Sequence, residues 1–296
     1  MTMIVYLPQN FQISAISKFT SQIVGSNGRP LADIVTLDFS KLSFIDGGGY
    51  TVLSNSIEWL INENVEVRLR NFDNVKNLAI QYLDDCGFFK TYANRFLRHD
   101  AKVRDTTLPC SFVTHERSFG WVQNQLSPWL ERIFDVDHAA LGSVRTCVKE
   151  VLNNTADHSN VSTGFVHAQF YPNLHLVKIT LSDFGDGIPR TITRTFGSMP
   201  DAQAIIHATK EGVTSKSRPN NMGAGLSYLV DTMIANRGIT RFHSRYGNVT
   251  CLRDNQGRKR FHQRHGTGMY PGTLVELEFD TRLFIGDEVE RGDLEW

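Results

Sequence analysis

Glu150, Asn154, Asp157 and His158 are spaced i, i+4, i+7 and i+8 in the run Val-Lys-Glu-Val-Leu-Asn-Asn-Thr-Ala-Asp-His-Ser. On a helix that spacing puts all four on one face. Leu141, Val144, Val148, Val151 and Leu152 make the opposite, apolar stripe. A neutral Asn oxygen suits a hard cation such as Mg²⁺ whose remaining ligands are phosphates and water. A Glu one turn earlier is placed to orient or deprotonate an attacking water. A solvated polar face has the same composition, so the helix alone does not decide between them.

Three further segments carry chemistry of a compatible kind. Leu176–Ser182 alternates like a strand and runs into Asp183-Phe184-Gly185-Asp186-Gly187. A carboxylate leaving a strand into such a turn accepts from an exocyclic amine, and Gly185 and Gly187 let the backbone approach a flat ring. Thr214-Ser215-Lys216 precedes Asn220-Asn221-Met222-Gly223-Ala224-Gly225-Leu226, after which the sequence turns apolar at helical spacing. Amides at a glycine-rich helix start cradle phosphates. No GxxxxGK[ST] occurs, and the third glycine of a dinucleotide fingerprint is absent. Gly272-Thr273 opens a late strand, where a hydroxyl is available to share a water with Asp183. DxGxG turns, GxGL helix starts and Gly-Thr strand starts are each common in isolation.

The elements that must position these residues divide at about residue 105. Residues 1–105 read as strand at Ile34–Phe39, helix at Tyr50–Asn62, strand at Val65–Leu69 and helix at Val75–Leu83, a small α/β domain. A polar stretch from Arg98 to Arg117, containing Pro109, marks the boundary. Residues 106–296 read as helices over Gly120–Phe134 and Ala139–His158 and strands near Gly164–Tyr171 and His175–Ser182. A loop-rich stretch then runs from Asp183 to Asn221, followed by a helix over Gly225–Asn236. Four strands end the domain, near Arg241–Ser244, Val249–Arg253, Arg258–His262 and Thr273–Glu278. Asp254-Asn255-Gln256-Gly257 reads as a hairpin turn.

Composition narrows the function classes. Lys+Arg and Asp+Glu number 31 each, so no general field draws the chain to nucleic acid or anionic membrane. No apolar run approaches a membrane span, and the first residues lack a basic n-region. The cysteines Cys86, Cys110, Cys147 and Cys251 form no CxxC pair and read as buried small hydrophobes in a reducing, cytoplasmic setting. The basic run 258–265 reads as a solvated hairpin, with nucleic-acid contact the less favoured reading. His262 and His265, without a nearby Cys, are poor zinc ligands.

The order of the motifs carries more than any one of them. A helix with ExxxNxxD, a strand-end DxGxG, a glycine-rich segment before a helix and a late Gly-Thr resemble the GHKL (Bergerat-fold) ATPases over residues ~120–280. That superfamily includes gyrase, Hsp90, MutL, histidine kinases and anti-sigma serine kinases. The resemblance implies an α/β sandwich of helices on a mixed sheet. It also implies ATP as ligand, Mg²⁺ on Asn154, adenine on Asp183, and phosphates at the amides around Gly223, Ala224, Gly225 and Leu226. Lys216 falls where some members place a lysine near phosphate, and a solvated loop lysine is the equal alternative. Glu150 matches the general base of hydrolysing members and also the Glu of anti-sigma kinases. His158 matches the latter group and Asp157 the gyrase, Hsp90 and MutL pattern, so two subfamilies are mixed.

Residues ~30–95, with Ile34–Ser40 leading to Phe44-Ile45-Asp46-Gly47-Gly48-Gly49, resemble STAS domains of anti-anti-sigma factors. Those carry a phosphoacceptor Ser where Gly48 stands, so a phosphorylation switch at that position is chemically excluded. The expectation is a docking or dimerisation module attached to an ATP-dependent switch with slow hydrolysis at Glu150. The alternatives are a protein serine/threonine kinase acting on a separate partner and a non-catalytic, nucleotide-gated interaction module. A histidine kinase is disfavoured: His115-Glu116-Arg117 reads as a loop.

Overall fold

The computed structural model describes residues 1–158, 163–213 and 225–287, with the side chains of residues 115, 154–158 and 163 excepted. It is an α/β structure built on two principal sheets. The first sheet is parallel, in the order β1 (Thr2–Tyr6), β3 (Ile34–Asp38), β5 (Glu66–Arg70). β2 (Asn10–Phe11) and α1 (Ile16–Thr20) come between β1 and β3 in the chain, and β2 pairs with β4 (Phe44–Ile45). α2 (Gly47–Asn62) makes the crossover from β3 to β5, and α3 (Leu78–Asp85) and α4 (Phe88–Tyr92) close this part.

β1 is short and exposed on alternate residues, and its parallel pairing with β3 from Thr2 opposite Ile34 to Tyr6 opposite Asp38 makes it a strand. α3 starts three residues later than expected because the Asn77 side chain caps it, accepting from the amides of Ala79 at 2.8 Å and Ile80 at 3.4 Å.

The second sheet has the order β6 (Thr107–Thr114), β7 (Thr163–Tyr171), β8 (Leu176–Asp183), β10 (Lys259–Asp280), β9 (Ile239–Arg253), antiparallel throughout. α5 (His115–Trp121) follows β6 and continues through a π-turn into α6 (Ser127–Phe134). α7 (Gly142–His158) then packs on the sheet beside α10 (Gly225–Ala235). The five residues of the expected α7 stripe are all buried in one cluster with Val166, Ile179, Leu181, Val275 and Phe242 from the sheet.

Four elements differ from the sequence reading. The polar stretch around Pro109 is the edge strand β6, where a residue without an N–H is tolerated. His115 opens a helix and does not sit in a loop. The stretch after Asp183 holds two helices, α8 (Gly187–Phe196) and α9 (Asp201–Ala208). α8 is rich in Thr and Ile, weak helix formers that hid it. Ile188 and Ile192 point its apolar side inward, and Arg190 and Arg194 pair with Asp186 at its start. The four expected late strands are two long ones, β10 being broken by irregularities between His265, Tyr270 and Thr273.

The two parts share α2. Its first turn is capped by Asp46, whose carboxylate accepts from the Gly49 amide at 2.9 Å. Three glycines at a helix start are costly, and their neighbours explain them. A Cβ on Gly47 would lie 2.5 Å from His167 Nδ1, and one on Gly49 would overlap the Phe11 carbonyl. β7 and β8 pack against this helix on their polar side. Lys178 Nζ on β8 lies 3.7 Å from Asp46, 3.8 Å from Glu276 and 3.6 Å from Glu278, and Arg241 Nη1 reaches both glutamates at 2.9 Å. Burial pushes the carboxyls of Asp46 and Glu276 upward against these cations. The glycine turn that opens α2 therefore faces the chain's own second sheet.

Candidate functional site

The register of β8 against β10 sets Asp183 directly opposite Thr273. Opposed residues in an antiparallel pair present their side chains on the same face. β9 places Ser244 opposite Thr273 from the other side. Asp183, Thr273 and Ser244 thus form one row across three strands at one end of the sheet.

The backbone closes tightly around this row. Gly187 has φ +75° and Gly272 φ +99°, conformations that disfavour any side chain. A Cβ on Gly187 would lie 2.6 Å from Ser244 Oγ and 2.7 Å from the Gly272 carbonyl, and one on Gly272 would overlap the Asp183 carbonyl. The Ser244 hydroxyl donates to the Gly272 carbonyl at 2.6 Å and accepts from the Ile188 amide at 3.1 Å. Thr273 Oγ1 accepts from the same amide at 3.3 Å and lies 3.3 Å from Ser244 Oγ. These bonds tie the start of α8 to β9 and β10, and they fix the Thr273 hydroxyl.

Asp183 is buried, with one carboxylate oxygen accepting from the Gly185 amide at 2.9 Å. Among the described residues its donors are the backbone amides of Gly185 and Thr273, and no cation pairs with it. Burial raises its pKa to about 7, the two amides opposing that shift only in part. A buried carboxylate with acceptor capacity to spare and no cation is expensive to keep. Such cost is characteristic of a group kept for binding or chemistry.

The neighbouring residues bring α2 to the same corner. Phe184 stacks edge-on against Trp59 of α2 at 5.6 Å between ring centroids and against Tyr270 at 5.1 Å. Asn55 of α2 donates to Ser182 Oγ at 2.6 Å, and Ser182 shares a further hydrogen bond with the Tyr270 hydroxyl.

Of the sequence candidates, the structure gathers Asp183, Gly185, Gly187 and Thr273. Gly225 opens α10, and Leu226 packs with Ile188 against the apolar cluster around Ile192. Leu226 is accordingly a packing residue whose amide alone remains available to a ligand. Glu150 is half-buried on α7. The side chains of Asn154, Asp157 and His158 lie outside the described residues, as do Lys216, Gly223 and Ala224. The course of α7 is nevertheless informative. β7 begins at Thr163, and Phe165 pairs with Ser182 beside Asp183. Five residue steps separate His158 from Thr163, a reach of at most about 18 Å. In the chain, α7 precedes β7, the strand that neighbours β8 beside Asp183. Ser244, Tyr270, Ser182, Asn55 and Trp59 were missed in the sequence. Ser244 carried only one weak signal, a polar residue closing an alternating strand.

No protein-family model matches the chain, and no curated protein matches it. Among solved structures, the ATPase region of Saccharomyces cerevisiae topoisomerase II is similar at 12% identity and a TM-score of 0.28. The similarity covers 55% of this chain and 41% of that one. A score this low supports no inference about fold or function. Among the described residues, no helix is long and apolar enough to cross a membrane, and no group of three or more His, Cys, Asp or Glu is placed to hold a metal ion.

Proposed function

We propose that this chain is a GHKL-type ATP-binding protein, with the adenine read by Asp183 and Thr273, acting as a nucleotide-dependent switch that hydrolyses ATP slowly. The observation that carries this reading is the direction of the hydrogen bonds at the corner. Ser244 spends its proton on the Gly272 carbonyl, so at its 3.3 Å contact with Thr273 the donor is Thr273. That contact is long, so the single Thr273 proton is free to turn from Ser244 to a ligand acceptor, and Asp183 beside it has lone pairs to offer. Adenine presents an amine donor at N6 next to an acceptor at N1, which complements that pair directly or through one water. Guanine reverses both groups and would leave a buried carboxylate facing a carbonyl, a penalty of roughly 1–3 kcal/mol or more.

The remaining roles rest on the sequence motif. Asn154 would hold Mg²⁺, which when bound supplies charge neutralisation at the phosphates. Glu150, one turn earlier on α7, would accept a proton from the attacking water. Amides at the start of α10, from Gly223 to Leu226, would face the phosphates, with the helix dipole adding to their pull. Lys216 would approach the same oxygens.

Incubation of the full chain with γ-³²P-ATP tests the chemistry. Labelled inorganic phosphate should accumulate, and Glu150→Ala should abolish its release while leaving ATP bound. Undiminished release by the variant would remove Glu150 from the role. Label moving onto a protein, with no free phosphate, would instead favour the serine/threonine kinase reading, whose acceptor must lie elsewhere than Gly48.

A further inference from the structure

β10 is much longer than its pairing with β8 requires. Only Thr273–Asp280 pair with β8, whereas Lys259–His265 pair with β9 alone, from Lys259 opposite Arg253 to His265 opposite Gly247. This makes a two-stranded ribbon of seven rungs, about 20 Å long at 3.4 Å per residue. It projects beyond the end of the sheet at which Asp183 sits.

The two faces of the ribbon differ. Val249, Cys251 and Phe261 point to the apolar core, and Lys259 is tethered to Asp231 of α10. The other face shows Arg260, His262 and Arg264, all exposed and about 7 Å apart. Arg258 extends it at the tip, where Gly257 completes the hairpin turn, while Arg253 sits opposite Lys259 and belongs to the other face. Asp254 is the acid within this segment. It accepts from the Arg258 amide at 2.8 Å, which does most to hold its carboxyl below the ordinary range, and from the side chains of Arg260 at 2.9 Å and Arg258 at 3.1 Å, which add to that. Arg253 and Arg264 form no ion pair with the described residues. Three guanidinium groups against one carboxylate leave the outer face at +2, in a chain whose net formal charge is zero.

We infer that this ribbon is a docking surface for double-stranded DNA. A two-stranded ribbon is narrow enough to enter a major groove about 12 Å wide. Its cations are guanidinium groups, which grip phosphate oxygens in pairs and remain charged at any working pH. Because the chain as a whole is neutral, the remainder of the molecule is net negative, and with charge screened within about 10 Å at 0.1 M salt the attraction is confined to the ribbon. Charged residues on a free strand edge also protect against edge-to-edge association, and the experiment separates the two roles. The surface stands independently of the nucleotide reading, since none of its residues belongs to the corner.

The test is fluorescence anisotropy of the full chain with a labelled 20-base-pair mixed-sequence duplex between 50 and 200 mM NaCl. Binding is expected with a slope of log affinity against log salt of about −2 to −3, from two to three neutralised phosphates. The double substitution Arg260→Ala/Arg264→Ala should reduce that slope by about 2 and weaken binding at least about tenfold at 50 mM NaCl. Arg282→Ala, at an exposed arginine paired with Asp280 away from the ribbon, should leave both unchanged. Three outcomes would overturn the inference. One is the absence of binding at 50 mM NaCl. Another is an unchanged slope in a double variant whose circular dichroism is native, including the case in which that variant merely aggregates. The third is tighter binding of a single strand of the same sequence than of the duplex.

Discussion

Lowering the pH from 8 to 6 should weaken ATP binding about tenfold, and Asp183→Asn should erase that dependence. Asp183 carries a pKa of about 7 in the unliganded protein because it is buried with only two amides to stabilise its charge. The amine of adenine needs the ionised form as acceptor. At pH 8 roughly nine molecules in ten are competent, and at pH 6 about one in ten, so the apparent Kd rises in proportion. The Asn variant keeps the size and one acceptor oxygen but loses the charge. A hydrogen bond to a charged group contributes about 1.5–3 kcal/mol, so the variant should bind ATP roughly 10- to 150-fold more weakly at pH 8, with a flat profile below it. The same burial predicts a stability change of opposite sign. A folded-state pKa raised above the unfolded 3.8 means that the folded protein binds the proton more tightly. This group therefore costs stability at pH 8, and the cost is relieved as pH falls through 7 toward 4. Three pH units correspond to about 4 kcal/mol at most. Asp183→Asn should accordingly raise the melting temperature at pH 8 by several degrees while removing tight ATP binding. Binding titrations at half-unit steps from pH 5.5 to 8.5, beside melting curves of both proteins, measure both effects. A flat wild-type profile, or a variant that keeps wild-type affinity, would refute the reasoning.

Two further substitutions test how the corner is built. Ser244→Ala strands the Gly272 carbonyl and frees Thr273 to turn away, so ATP affinity should fall about tenfold or more with secondary structure retained by circular dichroism. Gly272→Ala places a methyl against the Asp183 carbonyl at a φ of +99° and should cost about 2 kcal/mol or more in urea unfolding. Wild-type stability in that variant would mean that the turn is looser than described.

What could be read in the sequence depended on whether a residue's neighbours were local. The α7 stripe and the Asp254–Gly257 turn were legible because helical period and turn chemistry are properties of adjacent residues. Asp183 and Thr273 were each singled out, although their pairing is a register fact. Ser244 stayed hidden because its importance comes from Gly272 and Ile188, 28 and 56 residues away. β6 was not legible as a strand because Pro109 ordinarily breaks strands and only its edge position permits it.

α2 is the most instructive case. Ser54, Asn55 and Ser56 resemble a solvated face, yet all are buried, while Ile61 at an apolar position is exposed. The sheet that α2 meets is itself polar, lined by His167, Thr180, Ser182 and Glu276, so both surfaces read as solvent-facing until they are brought together. That interface is also why residues 1–105, which look separable in sequence, reach the Asp183–Thr273 corner through Trp59 and Asn55.

The central claim is that an adenine base is recognised at Asp183 and Thr273, and calorimetric titration of the full chain with ATP and GTP, each with magnesium at pH 8, addresses it most directly. ATP should bind with one site per chain and GTP at least about a hundredfold more weakly, with the difference collapsing in Asp183→Asn. Equal affinity for the two nucleotides, or no heat with either in protein that melts cooperatively, would contradict it.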